Sequence, residues 1–458
     1  MNKKLDGFKN EIKGKKVTVL GIGISNLPLI KYLISLGAEV NARDKRTREE
    51  MGEVFGELQT LGVTLNLGEN YLENLTGEII FKTPGMRYDL PELQAARRTG
   101  SVVTSEMEVF FELCPSHIIG ITGSDGKTTT TTIIYKALTE AGYKTWLGGN
   151  IGKPLLSDVE EMTADDWVVV ELSSFQLHTM KKSPEIAVLT NISPNHLDVH
   201  KSYEEYIEAK KNILLHQNPK DIVVANLDNR QAEMAASDGN GIKRYFSRES
   251  IADVYLDNGI IKRGNVPVLN VDDIKIPGMH NVENYMAAIA ALYGIVDDEV
   301  IRNVAKNFGG VEHRIEYVRT LDGVKYYNSS IDSSPNRTIN TLRVFDKKVI
   351  MIAGGKDKGI PYDEIGTILT ERVKVLILIG ATADKIEKAL MDEIKRTGKG
   401  IFIEVIRVST YEEAVNTAHA KAESGDTVIL SPASTSFDMF KNFEERGNLF
   451  KKLVNELE

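Results

Sequence analysis

The apolar run HIIGI at 117–121 passes through TGSDGK straight into TTTTTIIYKALTEAG, and this order of strand, glycine turn and helix constrains the fold of the 458-residue chain more than any other stretch. Ile133, Ile134 and Leu138 keep helical spacing despite the poor helix propensity of the threonines. Gly123 and Gly126 let successive amides face one anion, and the helix start adds its unpaired N–H groups. Lys127 would then reach outer phosphates, and Thr128 would hold Mg²⁺ between them. The common phosphate loop carries a glycine five residues before its Gly-Lys pair, but Ile121 stands there. A plain glycine turn is the alternative, and the Lys-Thr pair after the last glycine weakens it. Asp125 reads as part of this loop or as the cap of the helix that follows.

The same alternation recurs along the chain. KVTVLGIG, TLNLG and EIIFKTPGM precede the phosphate loop; WVVVEL, IAVLTNIS and DIVVANLD follow it; KKVIMIAGG, VKVLILIG and DTVILSPAS close the sequence. Continuous apolar strands separated by amphipathic stretches indicate parallel sheets covered on both faces. Three consecutive α/β units are expected, at residues 1–111, 112–311 and 312–458. The chain carries 56 basic against 65 acidic residues, a net charge of −9, which argues against a nucleic-acid partner. Its one cysteine, Cys114, excludes an internal disulfide and a multi-thiolate metal site. No apolar run suits a signal peptide or a membrane span, so a cytoplasmic protein without membrane insertion is expected.

Ligands of open parallel sheets sit beyond the carboxyl ends of the strands, so the polar residues there are the candidates. GIGISN at 21–26, with Asp44 downstream, admits a redox dinucleotide, another nucleotide or diphosphate, or a tight turn; Asn26 takes the place of the third glycine of the dinucleotide pattern. Glu171 ends WVVVEL and offers oxygen to a hard cation. His196, Asp198 and His200 fall close together in NISPNHLDVH, and His196 reads as a Mg²⁺ or Mn²⁺ ligand, a zinc ligand or a structural hydrogen-bonding group. In the last unit, the loops at 328–337, 354–359 and 431–436 follow successive strands and together suggest a substrate face.

GITGSDGKTTT, GGNIG, ELSSFQL, NISPNHLD, GMHNVENYMAA, EHRIE, GGKDKG and SPASTSFDMFKNFEERG resemble the Mur ligases, over almost the whole chain. ELSSFQL and the last of these are similar to the branch that adds D-glutamate. The resemblance implies a Rossmann-like N-terminal domain, a P-loop ATPase-like central domain and a Rossmann-like C-terminal domain. It implies a monomer that joins D-glutamate to UDP-N-acetylmuramoyl-L-alanine in peptidoglycan precursor synthesis, using ATP and Mg²⁺, with Mn²⁺ as a substitute. By that likeness, Gly123, Ser124, Asp125, Gly126, Lys127, Thr128, Thr129, Asn281, Asn284, Arg314 and Asp332 serve the nucleotide, with His313 beside Arg314 at the domain junction. Thr128, Glu171, His196 and Lys210 serve the metal, Lys210 as a carbamate. Lys127, His196, Lys210 and Asn150 are the catalytic set. Ser25, Asn26, Asp44, Arg46, Thr83, Pro84, Gly85 and Asn150 face the UDP-linked substrate, and Lys358, Ser436 and Phe443 face the amino acid. From the residues alone, Lys210 in YEEYIEAKK reads as a solvated helix lysine.

One stretch departs from the family pattern. Where the family often has Asn-Asp-Ser-Lys-Ala-Thr-Asn, this chain has NSSIDSSPNR at 328–337. With Asp332 placed on the nucleotide-contacting aspartate, the lysine position falls on Ser334 and the threonine position on Asn336. Arg337 either substitutes for the missing charge or has no such role.

Overall fold

The computed structural model describes residues 2–194 and 200–458. It contains three mainly parallel sheets. The first comprises β1 (Lys16–Leu20), β2 (Glu39–Asp44), β3 (Thr64–Leu67), β4 (Ile79–Lys82) and β5 (Val102–Thr104), in the order β3-β2-β1-β4-β5. The second comprises β6 (His117–Thr122), β7 (Thr145–Gly149), β8 (Trp167–Glu171), β9 (Ile186–Leu189), β10 (Ile222–Asn226), β11 (Ile242–Ser247), β12 (Val254–Asp257), β13 (Ile260–Arg263) and β14 (Val266–Asn270). Its order is β14-β13-β12-β11-β10-β9-β6-β8-β7. The third comprises β15 (Glu316–Leu321), β16 (Val324–Asn328), β17 (Val349–Ala353), β18 (Val373–Leu378), β19 (Glu404–Arg407) and β20 (Thr427–Leu430), in the order β15-β16-β20-β17-β18-β19.

The central strands β8, β9 and β17 are buried at every position, as helices on both faces require. The edge of the second sheet differs from the expected pattern. There β12, β13 and β14 pair antiparallel, because strands of four or five residues joined by the tight turns Asp257–Ile260 and Arg263–Val266 leave no length for a crossover helix.

The chain packs as two compact units, one through Val271 with Glu283–Val304, the other Asp272–Val282 with Ala305–Glu458. The first unit contains two sheets because their apolar faces merge. Val17, Phe81, Phe110 and Leu113 belong to the same buried cluster as Leu155, Leu156, Val159 and Val170. Glu106, on the helix Glu106–Leu113, adds a polar tie to this seam, its Oε1 accepting from the amides of Leu155 and Leu156 at 3.0 and 2.7 Å. The second unit has an apolar layer on each face of its sheet. No helix among the described residues is long and apolar enough to cross a membrane.

Candidate active site

The carboxyl ends of β2, β1 and β4 bring the first group of predicted residues together. Leu20 pairs with Arg43 on one side and Lys82 on the other, and Thr83 donates its amide to Leu20 at 3.0 Å. Asp44 Oδ2 accepts from the Ile22 amide at 2.7 Å, and Arg46 Nη2 donates to the Ile22 carbonyl at 2.6 Å and to Asp44 Oδ2 at 2.9 Å. Burial works to raise the Asp44 acid, but the Arg46 and Ile22 hydrogen bonds outweigh it and hold the carboxyl below its ordinary range. Asn26 is buried and turns inward, Nδ2 donating to the Leu20 and Gly21 carbonyls at 3.0 and 2.9 Å. Its side chain thus closes the turn where the dinucleotide pattern has glycine. Ser25, Thr83, Pro84 and Gly85 lie on the neighbouring loops.

The second group gathers where β6 stands between β9 and β8. Gly123 adopts φ +154° and leaves room for Thr190, whose Oγ1 a Cβ would overlap. Asn191 fixes the loop from the end of β9, its carbonyl accepting from the Ser124 amide and its Oδ1 from the Asp125 amide, both at 2.9 Å. The helix Lys127–Glu140 is capped by Gly126 at φ +79° without a side-chain bond. The expectation that Asp125 caps it is therefore corrected: its backbone is held instead by Asn191 and by Thr190 Oγ1. Lys127 Nζ curls back to the carbonyls of Gly123 and Ser124 at 2.9 and 3.0 Å. Thr128 and Thr129 occupy the first turn, and Thr130 Oγ1 donates to Asn284 Oδ1 at 3.1 Å.

Lys210 overturns its reading as a solvated lysine. It is 1% exposed, and its Nζ donates to Gly123 O at 2.8 Å and Thr122 Oγ1 at 3.2 Å. The Tyr206 ring lies 4.7 Å from that ammonium, and the Tyr206 hydroxyl meets Ser124 Oγ at 2.9 Å. Burial first, then the charge of Lys127, push Lys210 well below the usual lysine range, against the attraction of Glu171 and Asp125. Glu171, also 1% exposed, has one oxygen held by Asn150 Nδ2 at 2.8 Å, while Oε2 is buried without a hydrogen-bond partner among the described residues. His196 lies outside the described residues.

In the second unit, Lys356 and Thr435 exchange backbone contacts, which sets the exposed Lys358 loop against the loop carrying Ser436. Arg446 is fully buried and donates to Ser330 Oγ, Ser330 O and Ser434 O at 2.9, 2.7 and 3.0 Å. Ser330 Oγ in turn donates to the Phe443 carbonyl at 2.7 Å. Asp332 points into the domain, accepting from Ser431 Oγ at 2.7 Å, and burial raises its acid despite the hydroxyls around it. His313, at φ +62°, meets Asn328 Nδ2 at 3.0 Å, while Arg314 is exposed. Asn281 Nδ2 donates to Pro277 O at 2.6 Å. A groove of ≈ 770 Å³ between the helices Pro335–Leu342 and Ile365–Arg372 is lined by Asn336 of the 328–337 stretch and by none of the residues assigned to nucleotide, metal or substrate.

Three family descriptions match this arrangement: "Mur ligase MurD-like, N-terminal domain" over 15–105, "Mur ligase middle domain" over 121–292 and "Mur ligase, glutamate ligase domain" over 313–434. The UDP-N-acetylmuramoylalanine--D-glutamate ligases of Ruminiclostridium cellulolyticum and Acetivibrio thermocellus are 57% and 56% identical, with all of each chain covered. The chain belongs to the Mur ligase family. The fold agrees with the structure of UDP-N-acetylmuramate-alanine ligase from Thermotoga maritima, 18% identical, with a TM-score of 0.59 over 96% of this chain and 99% of that one.

As an ATP-dependent ligase of this family, the Mur ligase described here has donors that fit a magnesium ion. Glu171 offers a buried carboxylate oxygen without a partner, Thr128 a hydroxyl at the phosphate loop, and hard cations take oxygen. The Mur-ligase match over 15–105 also sets aside the redox dinucleotide reading of GIGISN. Three residues escaped the sequence reading: Thr122, Tyr206 and Arg446. Tyr206 and Lys210, four apart on the helix Tyr203–Lys211, share one buried face with Ala209, and that spacing was the available signal.

Proposed function

We propose that this Mur ligase joins D-glutamate to UDP-N-acetylmuramoyl-L-alanine through an acyl phosphate, releasing ADP and phosphate, as a step of peptidoglycan precursor synthesis. Full-length likeness to relatives with that printed activity supports the substrates. The observation that carries the chemistry is Lys210, buried against the phosphate loop with its amine biased to the neutral form. A neutral amine can add carbon dioxide, and the resulting carbamate would stand beside Glu171 as a second oxygen donor.

A carboxylate resists amide formation because oxide is a poor leaving group, so its oxygen first attacks the γ-phosphorus of ATP and ADP departs. The deprotonated amine of D-glutamate then attacks the acyl carbon, and phosphate leaves. Lys127 and the loop amides stabilise the oxygens of the transferring phosphoryl group. Asn150 orients Glu171, and Thr122 and Gly123 hold the Lys210 amine. Magnesium, held by Thr128, Glu171, His196 and carbamylated Lys210, would supply neutralising charge. Residues 1–111 would bind the UDP-linked acceptor through Ser25, Asn26, Asp44, Arg46 and 83–85, residues 112–311 ATP, and residues 312–458 the amino acid through Lys358, Ser436 and Phe443. Asn281, Asn284, Arg314 and Asp332 are assigned to the nucleotide.

Incubation with ATP, UDP-N-acetylmuramoyl-L-alanine and D-glutamate should release ADP only when both acceptors are present; turnover indifferent to D-glutamate sinks the reading. A second reading, ligation of another amino acid, draws on the departure at 328–337, where Ser329 and Ser330 are fully buried and Asp332 turns inward. A panel of amino acids at fixed acceptor separates the two.

A further inference from the structure

The last residue of β4, Lys82, is 3% exposed, and its ammonium makes no hydrogen bond or ion pair among the described residues. It lines a cavity of ≈ 10 Å³, room for about one oxygen-sized group, with Arg87, Tyr88, Phe175, His178 and His200. The other charges around the cavity are already engaged. Arg87 Nη2 donates to Asp89 Oδ2 at 3.0 Å and to Glu205 Oε1 at 3.1 Å, and Lys201 Nζ lies 2.6 Å from Asp89 Oδ2. His200 Nε2 meets Ser174 Oγ at 3.0 Å and its ring stacks on Phe175 at 5.2 Å. Burial lowers the proton affinity of His178 against the pull of Glu205, leaving that ring biased to neutral. Burial lowers the proton affinity of Lys82 itself, against the attraction of Glu108, which makes no ion pair with it, and burial favours the neutral form of that acid too.

A buried ammonium without a counter-charge or acceptor is strongly disfavoured unless something from outside completes it. Lys82 stands in register with Leu20 and directly precedes Thr83, which packs against Gly21. It therefore lies at the carboxyl end of the first sheet, where ligands of such sheets bind. We propose that Lys82 and this cavity form an oxyanion site that takes one phosphate or carboxylate oxygen, supplied by the UDP-linked acceptor. The identity of the acceptor rests on the function proposed above; the site itself rests on the unpaired ammonium and the cavity.

The test is calorimetric titration of the full-length protein and of Lys82→Met with UDP-N-acetylmuramoyl-L-alanine, UDP and inorganic phosphate, without turnover. The substitution should raise the Kd of the acceptor at least tenfold. A matching rise for UDP assigns the diphosphate as the source, and an unchanged UDP assigns the carboxylate. A rise for inorganic phosphate alone makes a free anion the source of the same oxygen. If Lys82→Met does not fold, Lys82→Gln takes its place. Unchanged Kd for all three probes in a folded variant overturns the site, including a role for Lys82 confined to stability, which would move only Tm. Lys82-dependent binding by a protein that does not ligate D-glutamate would sink the functional reading and leave the oxyanion site standing.

Discussion

Lys210 Nζ and the carbonyl oxygen of Gly123 are 2.8 Å apart, so a helix lysine is hydrogen-bonded to the backbone of the phosphate loop. The bond fixes the amine where burial and Lys127 both favour its neutral form. Lys210→Ala should lower turnover at least a hundredfold, with partial recovery on adding formate or acetate. Removing dissolved carbon dioxide should slow the unaltered enzyme, and bicarbonate should restore it. Equal activity of Lys210→Ala and the parent protein would end the carbamate assignment.

Glu171 Oε2 is buried without a hydrogen-bond partner among the described residues, an arrangement that costs stability until a cation or proton arrives. Glu171→Gln keeps an oxygen for Asn150 but removes the charge. The Mg²⁺ concentration for half-maximal ligation should rise at least tenfold, while Tm holds or increases. A magnesium titration beside a thermal melt reads both.

Alanine at Gly123 would combine a φ of +154° with overlap against Thr190 Oγ1. The expected cost is about 1–3 kcal/mol, with nucleotide affinity reduced more than tenfold. Gly23→Ala, where a Cβ meets nothing within 4 Å, should be nearly neutral for stability. Denaturant unfolding of the two variants side by side compares them.

Burial lifts the Glu106 acid from 4.5 to about 7, with the Leu156 and Leu155 amides opposing the shift. A raised carboxyl favours the folded protein while protonated. Its contribution is therefore complete below pH 4.5 and is lost as pH rises towards 7, to the extent of about 3 kcal/mol. Glu106→Gln retains an acceptor for both amides and should flatten this part of the stability profile, with a higher Tm at pH 8. Melts from pH 5 to 8 measure the difference.

Arg446 ties the 328–337 segment to the loop carrying Ser436 through three hydrogen bonds made in full burial. Arg446→Met strands the neutral Ser330 and Ser434 carbonyls and should destabilise the second unit by about 1–3 kcal/mol for each acceptor left unsatisfied. In the folded fraction, the KM for D-glutamate should rise more than the KM for ATP.

The three sheets were legible because β1, β6, β8, β17 and β18 are nearly uninterrupted apolar runs, which only doubly covered strands accommodate. The antiparallel edge from Val254 to Asn270 went unread because VYLD and IIKR are short and mixed in polarity, although Asn258-Gly259 and Gly264-Asn265 between its strands are two-residue hairpin signals. Glycine spacing announced the phosphate loop, but the inward turn of Asp332 and the burial of Lys210 depend on neighbours distant in sequence. Ser431 lies 99 residues from Asp332, and Gly123 lies 87 from Lys210. A lysine in a charged helical stretch gives no local sign that its amine will be desolvated.

The apolar seam running from Phe81 and Phe110 to Leu155 and Val159 makes the first two sheets inseparable heirlooms. Exchanging the amino-terminal segment as a cassette requires matching both faces of that seam, including the Glu106 acceptor for the Leu155 and Leu156 amides. Chimeras between members of this family should therefore tolerate junctions beyond residue 305 better than junctions near 111.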